Sequence, residues 1–86
     1  MCVQKMSLSA YDYWSLSINM AQDRNWENAE KAAQFAVAKE PHVIVYHMNL
    51  AAILAERGKK KQLKNVLYNV LSVDPSNLDA NRLVSN

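Results

Sequence analysis

Apolar residues along this chain recur at spacings of three and four in four consecutive stretches, the period of a helix with one buried face and not the alternation of a strand. Tyr13, Leu16, Ser17, Met20 and Ala21 form the first stripe, and Trp26, Ala29, Ala32, Ala33, Ala36 and Val37 form the second. Val43, Tyr46, His47, Leu50, Ala51 and Leu54 mark the third, and Leu63, Val66, Leu67, Val70 and Leu71 the fourth. Punctuation between the stripes predicts where each helix starts and stops. Ser9-Ala10-Tyr11-Asp12 has the form of a capping box, which starts helix one, and polar Gln22 to Asn25 ends it. Asn25 is the expected N-cap of helix two, which must end before Pro41 because a proline pushes its predecessor out of the α region. Pro41 is expected in the first turn of helix three, and Arg57-Gly58 closes that helix. Lys59 to Lys61 opens helix four, a mild conflict with the helix dipole, and Asp74-Pro75 stops it. Ser76-Asn77-Leu78-Asp79 reads as a second capping box leading into a short fifth helix, Leu78 to about Ser85.

The segment from Asp23 to Pro41 overlays the segment from Arg57 to Pro75 at one constant offset, matching in hydrophobicity, turn chemistry and closing proline. A fixed period of this size marks a repeat array, whose units each bury one face and need a neighbour to cover it.

Composition narrows the class. With 86 residues this is a single small domain, in the range where a core supplies only about 3–5 kcal/mol of net stability. One glycine and two prolines leave little room for a turn-rich β architecture, so an all-α fold is expected. A net charge of +2, with acids scattered among the bases, selects no nucleic-acid partner. Cys2 is the single cysteine, which excludes an intramolecular disulfide and a thiolate cluster and points to a reducing, cytoplasmic setting. No apolar run approaches the ~20 residues that span a bilayer, and the start lacks the layout of a secretory signal. A soluble chain without membrane insertion is expected.

The period, the two aligned prolines and the residues at set positions resemble the tetratricopeptide repeat family, whose unit is a helix-turn-helix of about 34 residues. The resemblance puts repeat one at 10–43, repeat two at 44–77 and a capping helix at 78–86, within a single domain spanning 1–86. In the first repeat the family's large, leucine and small positions fall on Tyr13, Leu16 and Ser17, the turn aromatic on Trp26, and the small positions of the second helix on Ala29 and Ala36. The second repeat holds His47, Leu50, Ala51, Lys60, Leu63 and Val70 in those places, with Gly58 at the family's turn glycine. It departs from the pattern at Leu63 and Val70, where alanine is usual and where bulk is expected to push neighbouring helices apart; repeat one departs at Arg24, which replaces the turn glycine. The resemblance implies antiparallel helical hairpins stacked as a short right-handed solenoid of about five helices.

It also implies a ligand in the concave groove lined by the leading helix of each hairpin. The partner-binding candidates there are Tyr11, Trp14, Ile18, Val45, Met48, Asn49 and Arg82, beside Ser15, Gln22, Ala52, Glu56 and Asp79. Trp14 and Ile18 lie one turn apart and Val45 and Met48 share a side, a surface suited to the apolar face of a helix or to an extended segment. Asn49 matches the groove asparagine that holds ligand backbone, and Arg82 adds a charge contact. The family's clamp for a C-terminal carboxylate is missing, because Trp14 and Ile18 stand at its lysine and asparagine places. The competing reading of Trp14 is that it packs inside the fold.

Other features read as structural. Lys59, Lys60, Lys61 and Lys64 form a basic cluster without interleaved aromatics, a solvated turn and not a nucleic-acid surface. His42 and His47 fall on different helical faces with no further metal ligand nearby, and the four tyrosines are packing residues. No nucleophile-base set and no phosphate loop is present, so no enzyme and no cofactor is expected. The expected function is a protein-protein interaction module, a small chaperone-like adaptor similar in size and groove polarity to the chaperones of bacterial type III secretion subunits. A bound partner or a homodimer is expected to complete so short an array. The alternative is a structural module that assembles homo-oligomers by helix stacking through Leu63, Val66 and Val70.

Overall fold

In a computed structural model of the chain, residues 8–85 are described, and they form five α-helices without a strand among them. These are α1 (Ala10–Gln22), α2 (Trp26–Lys39), α3 (Ile44–Glu56), α4 (Lys60–Val73) and α5 (Leu78–Ser85). Cys2 and Asn86 lie outside the described residues. Each helix packs against the next, and α1 also touches α3.

The start of α1 is the capping box expected there. Ser9 Oγ accepts from the Asp12 backbone N–H and the Asp12 carboxylate accepts from that of Ser9, both at 3.1 Å, so two otherwise orphaned amides are satisfied. At α5 the cap is one residue later than expected. Asn77 Oδ1 accepts from the Ala80 N–H at 2.9 Å, whereas Ser76 turns back to the Asp74 carboxylate, because the asparagine reaches the third helical amide directly. Asn25 stands at the N-cap of α2 but makes no side-chain cap bond.

Pro41 is not in the first turn of α3. Residues 40–43 form a turn closed by the Val43 N–H on the Glu40 carbonyl, and the His47 ring donates to the Pro41 carbonyl at 2.6 Å, so helical bonding begins only at Ile44.

The period seen in the sequence recurs in the backbone. Arg24 and Gly58 both have positive φ, 60° and 71°; Asn25 and Lys59 share φ −87° with ψ 70° and 72°; Glu40 and Asp74 lie at φ −135°, ψ 75° and φ −133°, ψ 80°. Turn hydrogen bonds repeat too, Asn25 N–H to Met20 O and Lys59 N–H to Leu54 O among them. Gly58 enters the left-handed region freely, whereas Arg24 does so against the clash of its Cβ with backbone.

Two apolar clusters make the core. Ala29 and Ala33 of α2 meet Leu50, Ile53 and Leu54 of α3, and Ala51 of α3 meets Leu67 and Val70 of α4 and Ala80 of α5. Leu63 and Val66 border both clusters and join them into one continuous interior. Val70 is only 1% exposed and so is spent inside the chain, whereas Leu63 and Val66, the other two residues of the expected stacking surface, are half-buried. Leu16 departs in the other direction: the apolar stripe puts it on the buried face of helix one, yet it is exposed, since Ser17 and Ala21 take the side facing α2 and α3.

Candidate functional site

Ser17 sits fully buried in α1, one helical turn from Trp14, and that placement organises the surface above it. Its hydroxyl donates to the Trp14 carbonyl at 2.8 Å and accepts from Asn49 Nδ2 of α3 at 2.7 Å. A buried polar bridge between two helices is costly to leave half-made, so it holds α1 and α3 in one register. Above it opens a hollow of about 330 Å³, lined by Ile18, Ala21 and Gln22 of α1, Trp26 at the start of α2, and Asn49, Ala52, Ile53 and Glu56 of α3. The floor is apolar and one end is polar, where Gln22 and Glu56 also border an adjoining hollow with Arg24.

Of the residues singled out from the sequence, this hollow brings together Ile18 and Asn49 and, beside them, Gln22, Ala52 and Glu56. Asn49 spends one of its two amide N–H groups on Ser17. Trp14 is half-buried, its ring 5.4 Å from that of Tyr11 and 6.0 Å from that of Tyr46 on α3, so it serves as part of the α1–α3 contact and does not line the hollow. Tyr11, 61% exposed, borders a separate hollow along α1 with Leu8 and Leu16. Val45 is 56% exposed on α3. Met48 turns toward the cluster of Ala51, Leu67, Val70 and Ala80 and is half-buried there. Arg82 is occupied by a neighbour on its own helix, its guanidinium 2.6 Å from the Asp79 carboxylate. The seven residues therefore do not form one continuous patch; the groove's walls come as much from Ala21, Trp26 and Ile53, of which the stripe pattern assigns Ala21 and Trp26 to the core.

The apolar stripes do not single out a second polar centre. Glu30 is 5% exposed, and its carboxylate accepts from Arg57 at 2.8 Å, from Lys59 at 3.1 Å and from Gln34 at 3.1 Å. It fastens α2 to the turn that follows α3, and thereby Lys59 leaves the solvated lysine cluster. A signal for it is present in the residue order: Glu30 stands four residues after Trp26 and three before Ala33, on the apolar face of α2. Among the described residues no buried side-chain nitrogen or oxygen lacks a partner.

Among the described residues no three His, Cys, Asp or Glu side chains gather as metal ligands, and no helix is long and apolar enough to cross a membrane. Comparison of the chain with protein-family models, with curated proteins and with solved structures finds no match.

Proposed function

We propose that the chain is a tetratricopeptide-type protein-binding module, two antiparallel hairpins and a capping helix stacked as a short right-handed solenoid, that holds a peptide or helical segment of a partner between α1 and α3. The repeat assignment is supported by turn dihedrals and turn hydrogen bonds that recur with the period of the sequence. The binding assignment is carried by one observation: an apolar hollow between α1 and α3, polar at one end, with Ala52 exposed on its α3 side. Such a surface takes the apolar face of an amphipathic segment, and Asn49 and Glu56 offer hydrogen bonds to its backbone or polar edge. A cytoplasmic adaptor or chaperone that shields such a segment is the role this chemistry fits.

A peptide selected for binding to the chain should lose at least about tenfold in affinity, roughly 1.4 kcal/mol, when Ala52→Glu or Val45→Asp places a charge at the groove. Both positions are exposed, so helicity by circular dichroism should stay unchanged. Undiminished binding to the Ala52→Glu variant would reject the groove, since Ala52 lines it. Trp14→Ala is a poorer probe because its contact with Tyr46 mixes folding with binding.

Self-assembly through helix stacking is the second reading, and it rests on Leu78, 82% exposed at the start of α5, and on the exposed Tyr68 and Val73 of α4. A sedimentation coefficient that rises with concentration, and that Leu78→Ser lowers, would favour it over the groove.

A further inference from the structure

Arg24 closes the turn between α1 and α2 at φ 60°, and Gly58 closes the turn between α3 and α4 at φ 71°. The two turns are built alike. Arg24 and Gly58 donate their backbone N–H to the Ala21 and Ala55 carbonyls at 2.9 and 3.1 Å, and the residues after them share one backbone conformation. Gly58 makes this turn with no side chain, so the turn itself has no use for the one that Arg24 carries. A Cβ in the left-handed region is strained, and strain that the backbone does not require points to work done by the side chain.

That work is not done within the fold. Of the three arginines, Arg57 pairs with Glu30 and Arg82 with Asp79, whereas Arg24 is exposed and enters no ion pair among the described residues. It borders a hollow of about 460 Å³ with Ala21, Gln22, Trp26 and Glu56, and all four of these also line the α1–α3 groove. The guanidinium thus stands where a segment lying in the groove would emerge at its polar end.

We propose that Arg24 is a specificity-determining residue of the α1–α3 groove, receiving one carboxylate of the bound segment, an Asp or Glu side chain placed just beyond the apolar residue that fills the hollow. The assignment rests on the groove as the binding surface. Its basis is charge complementarity: the planar guanidinium takes a carboxylate through two parallel N–H···O bonds. Glu56, bordering the same hollow, repels a second acid, so an isolated acidic residue is selected over an acidic run.

The probe is a library of random peptides of about 12 residues, long enough to run past the hollow in extended or helical form. Fusion of their C-termini to a phage coat protein leaves side chains as the source of carboxylates. The library is selected on the full chain, on Arg24→Gly and on Arg24→Lys, and peptides that Ala52→Glu releases are kept as groove ligands. One acid at a fixed distance from the apolar anchor should be enriched on the unaltered chain and on Arg24→Lys, which keeps the charge, and not on Arg24→Gly. Replacing that acid by its amide should weaken binding to the unaltered chain about fivefold and leave binding to Arg24→Gly unchanged. Arg24→Gly takes the residue that the second turn already uses, so its circular dichroism should match. Groove ligands without an acid at a fixed place, or an acid whose replacement weakens binding to Arg24→Gly equally, overturn the proposal and leave the groove standing. A library that yields no ligand released by Ala52→Glu overturns both.

Discussion

The two hairpins solve one packing problem with opposite divisions of labour. In the first, α2 is lined with alanines, Ala29, Ala33 and Ala36, and the bulk comes from Leu50, Ile53 and Leu54 of the following helix. In the second, α4 carries the bulk itself, Leu63, Leu67 and Val70, and the facing helices are small at the contact, Ala51 on α3 and Ala80 on α5. Large residues at the small positions of the tetratricopeptide pattern are expected to force helices apart; opposite them here stand the small Ala51 and Ala80, with Ile44, Met48, Leu83 and Val84 packed around the cluster. Close packing constrains the summed volume across an interface and not the residue at any one position. The polar half of the comparison runs the same way. Glu30 in the first hairpin is buried under two cations, whereas its counterpart Lys64 is exposed beside an open cleft.

The largest test of that difference is at Glu30. Replacing Arg57 and Lys59 together by Ala should leave its carboxylate buried without a cation and cost about 3 kcal/mol or more in denaturant unfolding. Either single replacement leaves one cation in place and should cost nearer about 1 kcal/mol, so the cycle should show marked coupling. Additive single effects would mean the carboxylate is solvated. The double substitution Lys61→Ala with Lys64→Ala, by contrast, should shift stability by less than about 0.5 kcal/mol, as exposed unpaired lysines do.

The turns sharpen the comparison on a smaller scale. Gly58→Ala should destabilise by about 1 kcal/mol, all of it backbone strain, since an added Cβ there meets nothing within 4 Å. Arg24→Gly should do the reverse and stabilise by up to about 1 kcal/mol, read as a rise in Tm, because it removes that strain from the first turn. Equal and opposite effects would show that the two turns impose one geometry on different residues; a null result at Arg24 would mean its side chain supplies a compensating contact. Smallest is the difference between two asparagines. Asn77→Ala should cost about 1 kcal/mol through loss of the cap on Ala80, and Asn25→Ala only a few tenths, because Asn25 makes no such bond.

Most of the helical layout is legible in the residue order. Ser9 with Asp12, Gly58, and the stripe of Ala29, Ala33 and Ala36 act within a turn or two of themselves, and short-range chemistry is what a single sequence exposes. The misses fall where local rules compete. Pro41 is compatible with a first helical turn and with a β-turn, and the bond from His47 across six residues tips it to the latter. Ser76 and Asn77 are both good caps, and one residue of register separates them. The candidate groove is legible only in part. Ile18 and Asn49 sit on it, but Met48 is drawn toward Ala80 and Arg82 pairs with Asp79, neither of which helical phase alone can assign.

What residue order determined by itself is the number of helices among the described residues, most of their ends and the period that relates them, because caps, prolines and apolar spacing operate through neighbours in the chain. What only the tertiary structure decided is which polar groups the interior would hold. Ser17 meets Asn49 from 32 positions away and Glu30 meets Arg57 from 27, and such pairings exist only once two helices lie side by side, where a buried hydrogen-bonding group must find whatever partner the packing brings.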